Sequence, residues 1–236
     1  MTAVFVNMAA VIIGSAIGII FRNKINKSYV SAIITALGLV TASIGICSMI
    51  KTENMLCIIL CMAFGTVIGE IIHIDRALDN AGDFVKNRLF GGKIKENSFT
   101  EGFVSACILF CVGSMTIMGS FEAGINGDYS IIFAKSALDF ISALAFGAAM
   151  GIGVMFSAAF ILVFQGGLTL LAGTLAPVLS PEVVTEMSAV GGVILIGMAI
   201  NMLGISGKRI KVANMLPSIF LPIAFVPVYS WISGIV

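Results

Sequence analysis

Charge is what this sequence has least of. Only 11% of its 236 residues are Asp, Glu, Lys or Arg, too few to cover the surface of a soluble domain of that size. Thirteen basic residues stand against twelve acidic ones, so no electrostatic footprint for nucleic acid exists. Histidine occurs once, as His73 at the end of an apolar run, and reads as an interfacial residue. No HExxH pair, GxSxG elbow or Walker A lysine is present, which leaves no catalytic residues, no ATP hydrolysis and no enzyme to expect. The five cysteines (Cys47, Cys57, Cys61, Cys107, Cys111) all fall in apolar runs, and an odd number there excludes a disulfide framework. Cys57/Cys61 and Cys107/Cys111 each have i,i+4 spacing but different expected depths. They read as small packing residues rather than a metal site.

What the sequence has instead is hydrophobicity, at 59% of residues. Apolar runs near 20 residues recur, the length that crosses a hydrocarbon core of roughly 30 Å. They do not alternate, which excludes a β-barrel. The expectation is an all-α polytopic transmembrane bundle, one integral membrane domain over residues 1–236. About eight spans are expected, near 4–21, 30–50, 55–73, 102–120, 131–150, 155–177, 187–205 and 216–236. The opening MTAVFVNMAA lacks a basic leader and reads as a retained span. Pro217, Pro222 and Pro227 predict a kinked last helix. Residues 74–100 form the one sizeable polar segment. Ile74, Ala77, Leu78, Ala81, Val85 and Leu89 recur there at helical spacing against charged neighbours, predicting an amphipathic helix on the membrane surface.

Basic residues follow spans one, three and seven, whereas the loops after spans four and six hold acids and no bases. The positive-inside rule makes the basic side cytoplasmic and puts both termini outside. Gly14/Gly18, Gly65/Gly69, Gly147/Gly151 and Gly197/Asn201 repeat a small-xxx-small spacing in alternate spans. That pattern reads either as close helix packing, with room for a homodimer, or as a four-span unit repeated once.

The densest intramembrane polarity lies between Ile131 and Phe164. Lys135 and Asp139 are one helical turn apart on one face, about 6 Å along the axis. A charge at bilayer depth costs roughly 2.5–3.5 kcal/mol on insertion scales, so it faces protein or water. Asp139 is expected about 12 Å below the outer face and Gln165 near the midplane, with Glu70 and Asn201 in the inner third and Asn7 and Lys135 in the outer third. Such a graded set of oxygens suits a hard cation. Gly166 and Gly167 after Gln165 suggest either a broken helix with freed carbonyls or close packing.

Gly69-Glu70 ahead of an Ile-Asp turn, Phe110-Cys111-Val112-Gly113, Lys135-Ser-Ala-Leu-Asp139, Gln165-Gly166, Ala189-Val190-Gly191-Gly192 and Asn214-Met-Leu-Pro217 occur in fixed order. Together they resemble the bacterial YqgA/YdfK family of uncharacterised inner-membrane proteins, over nearly the whole chain. The resemblance implies a bacterial inner-membrane location and a cation role, as a sodium channel or pump. It supplies no binding residues. The expected function is a secondary transporter or channel-like protein for Na⁺ or H⁺. Its site would be Asp139, Lys135, Gln165, Glu70 and Asn201, with no cofactor beyond a bound Na⁺. The alternatives are a non-transporting scaffold or sensor, and a transporter of a small organic solute.

Overall fold

The computed structural model describes residues 1–22, 27–77, 80, 98–111, 113–175 and 177–233. Every element among them is helical, as lipid requires, because each backbone N–H and C=O must then be satisfied internally. Six helices are long and apolar enough to cross a membrane. They are α1 (Thr2–Arg22), α2 (Lys27–Met49), α3 (Met55–Ile72), α6 (Ser130–Met150), α7 (Gly153–Leu170) and α9 (Pro181–Leu203). Local chemistry sets their ends. Asn54 caps α3 by accepting from the Leu56 N–H at 3.1 Å. Ser180 caps α9, with Pro181 at its first position, where the missing N–H costs nothing. Before α6, the Asp128 carboxylate accepts from the Ser130 hydroxyl at 2.5 Å and from the Ser130 N–H at 2.8 Å, and these bonds hold its carboxyl below the usual range.

Two further spans are bent. The first joins α4 (Ser98–Cys111) to α5 (Ser114–Phe121) and the π-turn Glu122–Asn126, with a bend of 57°. The second joins a 3₁₀ segment, Val212–Phe220, to α10 (Pro222–Ser233), with a bend of 45°. Each runs the whole length of a straight neighbour. Phe99 lies against Gly153 at the start of α7, and Gly124 against Thr169 and Ala172 at its end. Asn214 and Ser218 lie against Gly69 and Gly65 of α3, and Leu221 and Phe225 pack on the cluster around Cys57 and Cys61. With each bent pair counted as one crossing, the described residues hold up to eight candidate spans.

The small-xxx-small faces are packing faces. Gly14 and Gly18 of α1 ride directly on the α6 backbone at Phe140 and Leu144, and Gly147 returns the contact at Ser15. Gly45 of α2 meets Gly192 of α9 in antiparallel register. Of the straight spans α9 is the most buried. Both bent spans fall fourth in their half of the chain, as a four-span repeat would place them. The packing does not repeat, since α2 on α9 has no comparable counterpart of α7 on α3.

Three expectations need correction. Span six ends at Leu170, not near residue 177, because the chain turns at Leu171 into the separate short helix α8 (Ala172–Leu175). The expected break at Gly166–Gly167 is absent: α7 runs straight through both, and the Leu171 N–H still reaches the Gly167 carbonyl at 2.9 Å. The chain breaks elsewhere, at Gly113 and Leu221. Span seven begins at Pro181 rather than near Met187, which carries Glu186 inside a helix. Most of the amphipathic segment expected at 74–100 lies outside the described residues.

One end of the bundle carries Glu53, Glu122, Asp128, Glu182 and Glu186 with Lys51. The other carries Arg22, Arg76, Lys208, Arg209 and Lys211 with Glu70, Asp75 and Glu101. Near the acidic end the buried Glu186 carboxylate accepts from the Thr52 hydroxyl at 2.7 Å and from the Glu53 and Asn54 N–H groups at 2.7 and 3.1 Å. It ties the α2–α3 turn to α9.

The α1–α6 contact makes a sharp prediction. A Cβ at Gly18 would run into the Leu144 carbonyl oxygen, whereas one at Gly167 meets nothing within 4 Å. Gly18→Val should destabilise the folded protein by about 1–3 kcal/mol, as overpacking does. Gly167→Ala should be neutral or stabilise it by roughly 0.5–1 kcal/mol. Thermal unfolding in detergent checks both, and a harmless Gly18→Val would contradict this packing.

Candidate functional site

The polar cluster is built by three helices. Lys135 and Asp139, one turn apart on α6, form an ion pair, and both residues are buried. The glycine-lined contact with α1 brings Asn7 against the Asp139 carboxylate. From α7, the Gln165 Oε1 accepts from the Asn7 Nδ2 at 3.0 Å. Asn7 and Gln165 are both completely buried. A fourth element closes the cluster from the side, with the Phe110 ring centroid 5.9 Å from the Lys135 Nζ. An ammonium over a ring face gains about 0.5–2 kcal/mol, more as water is excluded.

Phe110 owes its position to the break in span four. Gly113 takes an extended conformation, φ −73° and ψ 147°, which ends α4 and starts α5. The Thr116 hydroxyl then bonds the Phe110 carbonyl at 2.9 Å, so the carbonyl released by the break is not left bare.

Two polar atoms in this cluster have no partner among the described residues, the Asn7 Oδ1 and the Gln165 Nε2. Leaving a buried donor or acceptor unpaired costs about 1–3 kcal/mol each. One orphan is an acceptor and the other a donor, beside a carboxylate and an ammonium. The arrangement can exchange a proton within the pair.

Depths revise the sequence picture. At 1.5 Å rise per residue, Asn7 lies about 7.5 Å from the start of α1, Lys135 the same distance from the start of α6, and Gln165 the same from the end of α7. These three termini share the acidic end, so Asn7, Lys135 and Gln165 form one layer with Asp139 about 6 Å deeper. Gln165 is therefore not at the midplane, because α7 stops at Leu170.

The other two expected residues stand apart. Glu70 is about half exposed and pairs with Lys211 at 3.1 Å at the basic end. Asn201 clasps its own loop, donating to the Ile210 carbonyl and accepting from the Ile210 N–H, both at 2.8 Å. Neither extends the cluster, and both have structural duties that hold the 3₁₀ segment in place. Gly166 and Gly167 contribute helix, not ligands. Asn7, Phe110 and Glu186 were not among the expected site residues. For Asn7 a signal existed, a lone amide in a span otherwise free of strong polarity. Glu186 was hidden by the late placing of span seven. Among the described residues, no three His, Cys, Asp or Glu side chains are arranged to hold a metal ion.

Comparison with known proteins agrees with the resemblance seen in the motifs. The chain is 31% identical over 219 residues to "Uncharacterized protein YqgA" of Escherichia coli (strain K12), covering 92% of each. It is 28% identical over 220 residues to "Uncharacterized membrane protein YdfK" of Bacillus subtilis (strain 168), covering 92% of this chain and 91% of that one. No solved structure matches. Residues 2–227 match the family described as "Protein of unknown function (DUF554)", and the chain belongs to that family.

Proposed function

We propose that this protein moves a small monovalent cation, Na⁺ or H⁺, across a bacterial inner membrane, with Asp139 as the central ligand or proton carrier. The observation that carries the reading is the buried Lys135–Asp139 pair with two unpartnered amide atoms beside it. Intramembrane ionisable residues are costly and usually mark ion or proton pathways. Lys135 neutralises Asp139 while no cation is bound. When a proton or Na⁺ takes the carboxylate, the Lys135 ammonium is released toward the Phe110 ring. Asn7 turns its amide over, bringing Oδ1 to the incoming cation as a second oxygen, and Gln165 adds a third once it lets go of the Asn7 Nδ2. Water completes a Na⁺ shell. A proton needs none.

The charge asymmetry between the two ends supports an orientation with the Arg22 and Lys208–Lys211 end in the cytoplasm and Met1 outside. The cluster then lies in the outer part of the membrane. Glu70 and Asn201 drop out of the proposed path.

A non-transporting scaffold is the competing reading, favoured by the closed pair and the tight α1–α6 contact. Removing one partner of a buried pair leaves an unpaired charge, worth about 3–5 kcal/mol of destabilisation. A purely structural pair should therefore tolerate Lys135→Asp combined with Asp139→Lys better than Lys135→Asp alone. Melting temperatures of the single and double variants measure that.

Counter-flow of radioactive Na⁺ into proteoliposomes, with and without a pH gradient, tests transport itself. Wild type should exceed empty liposomes, and folded Asp139→Asn should fall to their level. Dependence on the pH gradient would identify proton exchange. Flux that survives Asp139→Asn would remove Asp139 from the path.

A further inference from the structure

The acidic end holds a polar cavity whose lining shares no residue with the Lys135–Asp139 cluster. Its volume is about 240 Å³, and it lies between the α2–α3 turn, the start of α9 and the later part of α10. Glu53, Glu182 and Glu186 bring carboxylates to its wall, and Asn54 an amide. Phe225 and Tyr229, one turn apart on α10, form the opposite side. Their rings stack with centroids 5.7 Å apart and planes 13° apart. Among the described residues, none that lines the cavity is basic.

Glu186 forms the floor. Five residues into α9, it lies about 7.5 Å below the start of that helix and is only 3% exposed. Its donors are the Thr52 hydroxyl and the Glu53 and Asn54 N–H groups, all neutral. They satisfy its oxygens without bringing positive charge, and no basic side chain among the described residues pairs with it. A buried charge without a counter-charge is costly. Here it faces a cavity with two further carboxylates, Glu53 and Glu182, both exposed near the mouth. Low-dielectric walls that carry one sign of charge focus the field on whatever enters.

The three carboxylates surround the space without converging. Among the described residues, no three acidic, thiol or imidazole side chains gather where one metal ion could touch them all. Spread negative charge beside an aromatic wall instead suits an organic cation, with ammonium groups on the carboxylates and carbon atoms against the rings.

We propose that this cavity binds a small aliphatic amine in its ammonium form. Glu186 pairs with an ammonium at the floor, Glu53 and Glu182 serve a second one nearer the mouth, and Phe225 and Tyr229 cover the carbons between. The site stands apart from the transport reading, and its test needs no ion flux.

Isothermal titration calorimetry of the whole protein in nanodiscs, with 1,4-diaminobutane as the probe and butane-1,4-diol as its uncharged match, reads the site directly. The diamine should bind saturably and the diol should not. Glu186→Gln should weaken diamine binding about tenfold or more, as loss of a buried charge partner does. The turn should survive that change, because the new side chain can still accept from both N–H groups and can donate to the Thr52 hydroxyl. Glu182→Gln and Tyr229→Leu lie at exposed positions and should each weaken binding about threefold. They keep the proposal testable where Glu186→Gln does not fold. Glu122→Gln, at the same end but outside the cavity, should bind as wild type does. No saturable diamine binding, or equal affinity for the diol, would overturn the site. So would wild-type affinity in folded Glu186→Gln or in both surface variants, or a Glu122→Gln effect as large as that of Glu182→Gln.

Discussion

A lysine and an aspartate one turn apart, inside a helix bundle that excludes water, persist only if the protein around them is arranged for it. The low dielectric that strengthens their attraction also makes each charge expensive alone. The surroundings answer both demands. Glycine faces press α1 onto α6 closely enough for Asn7 to reach Asp139. Gln165 then closes over Asn7 from α7. The break at Gly113 turns the Phe110 ring toward the ammonium. Four elements converge on one pair, and the two atoms they leave unpaired are in that same place.

The two bent spans give the bundle its asymmetry. Straight spans pack through glycine and small residues, with backbone against backbone. The bent ones also meet backbone at glycine, at Gly153 and Gly124 for the first and at Gly65 and Gly69 for the second, but leave apolar cavities beside α7. The start of the second is fixed by polar clasps. Asn214 holds the turn after α3 through the Asp75 N–H at 2.6 Å, and Asn201 holds the loop leading into the 3₁₀ segment. That segment lies close on the glycine face of α3, with Ser218 against Gly65.

Much of this was legible in the sequence. Apolar runs of membrane length identify the spans, and the i,i+4 spacing of Lys135 and Asp139 puts them on one face before any coordinates. The glycine pairs announce close packing, and the prolines of the last span announce its bend. What the sequence hid is whatever depends on where a helix stops. Leu171 ends α7 although the residues around it are as apolar as those before, so Gln165 appeared deeper than it is. Adjacent glycines suggested a break at Gly166–Gly167, yet the helix continues through both, with the Leu171 N–H on the Gly167 carbonyl. The actual break at Gly113 sits in an apolar run that reads as continuous helix, although Phe110-Cys111-Val112-Gly113 stood out there as a family motif. Glu70 and Asn201 resembled path residues because intramembrane polarity alone does not distinguish a ligand from a clasp. Only the partner does, Lys211 for one and the Ile210 backbone for the other.

The central claim is that Asp139 itself engages the cation. Difference infrared spectroscopy of the membrane-reconstituted protein, exchanging Na⁺ for choline and then stepping the pH, reads that carboxyl directly. The account predicts a carboxyl band that shifts with Na⁺ or with protonation and disappears in Asp139→Asn. Identical difference spectra for wild type and Asp139→Asn would contradict it.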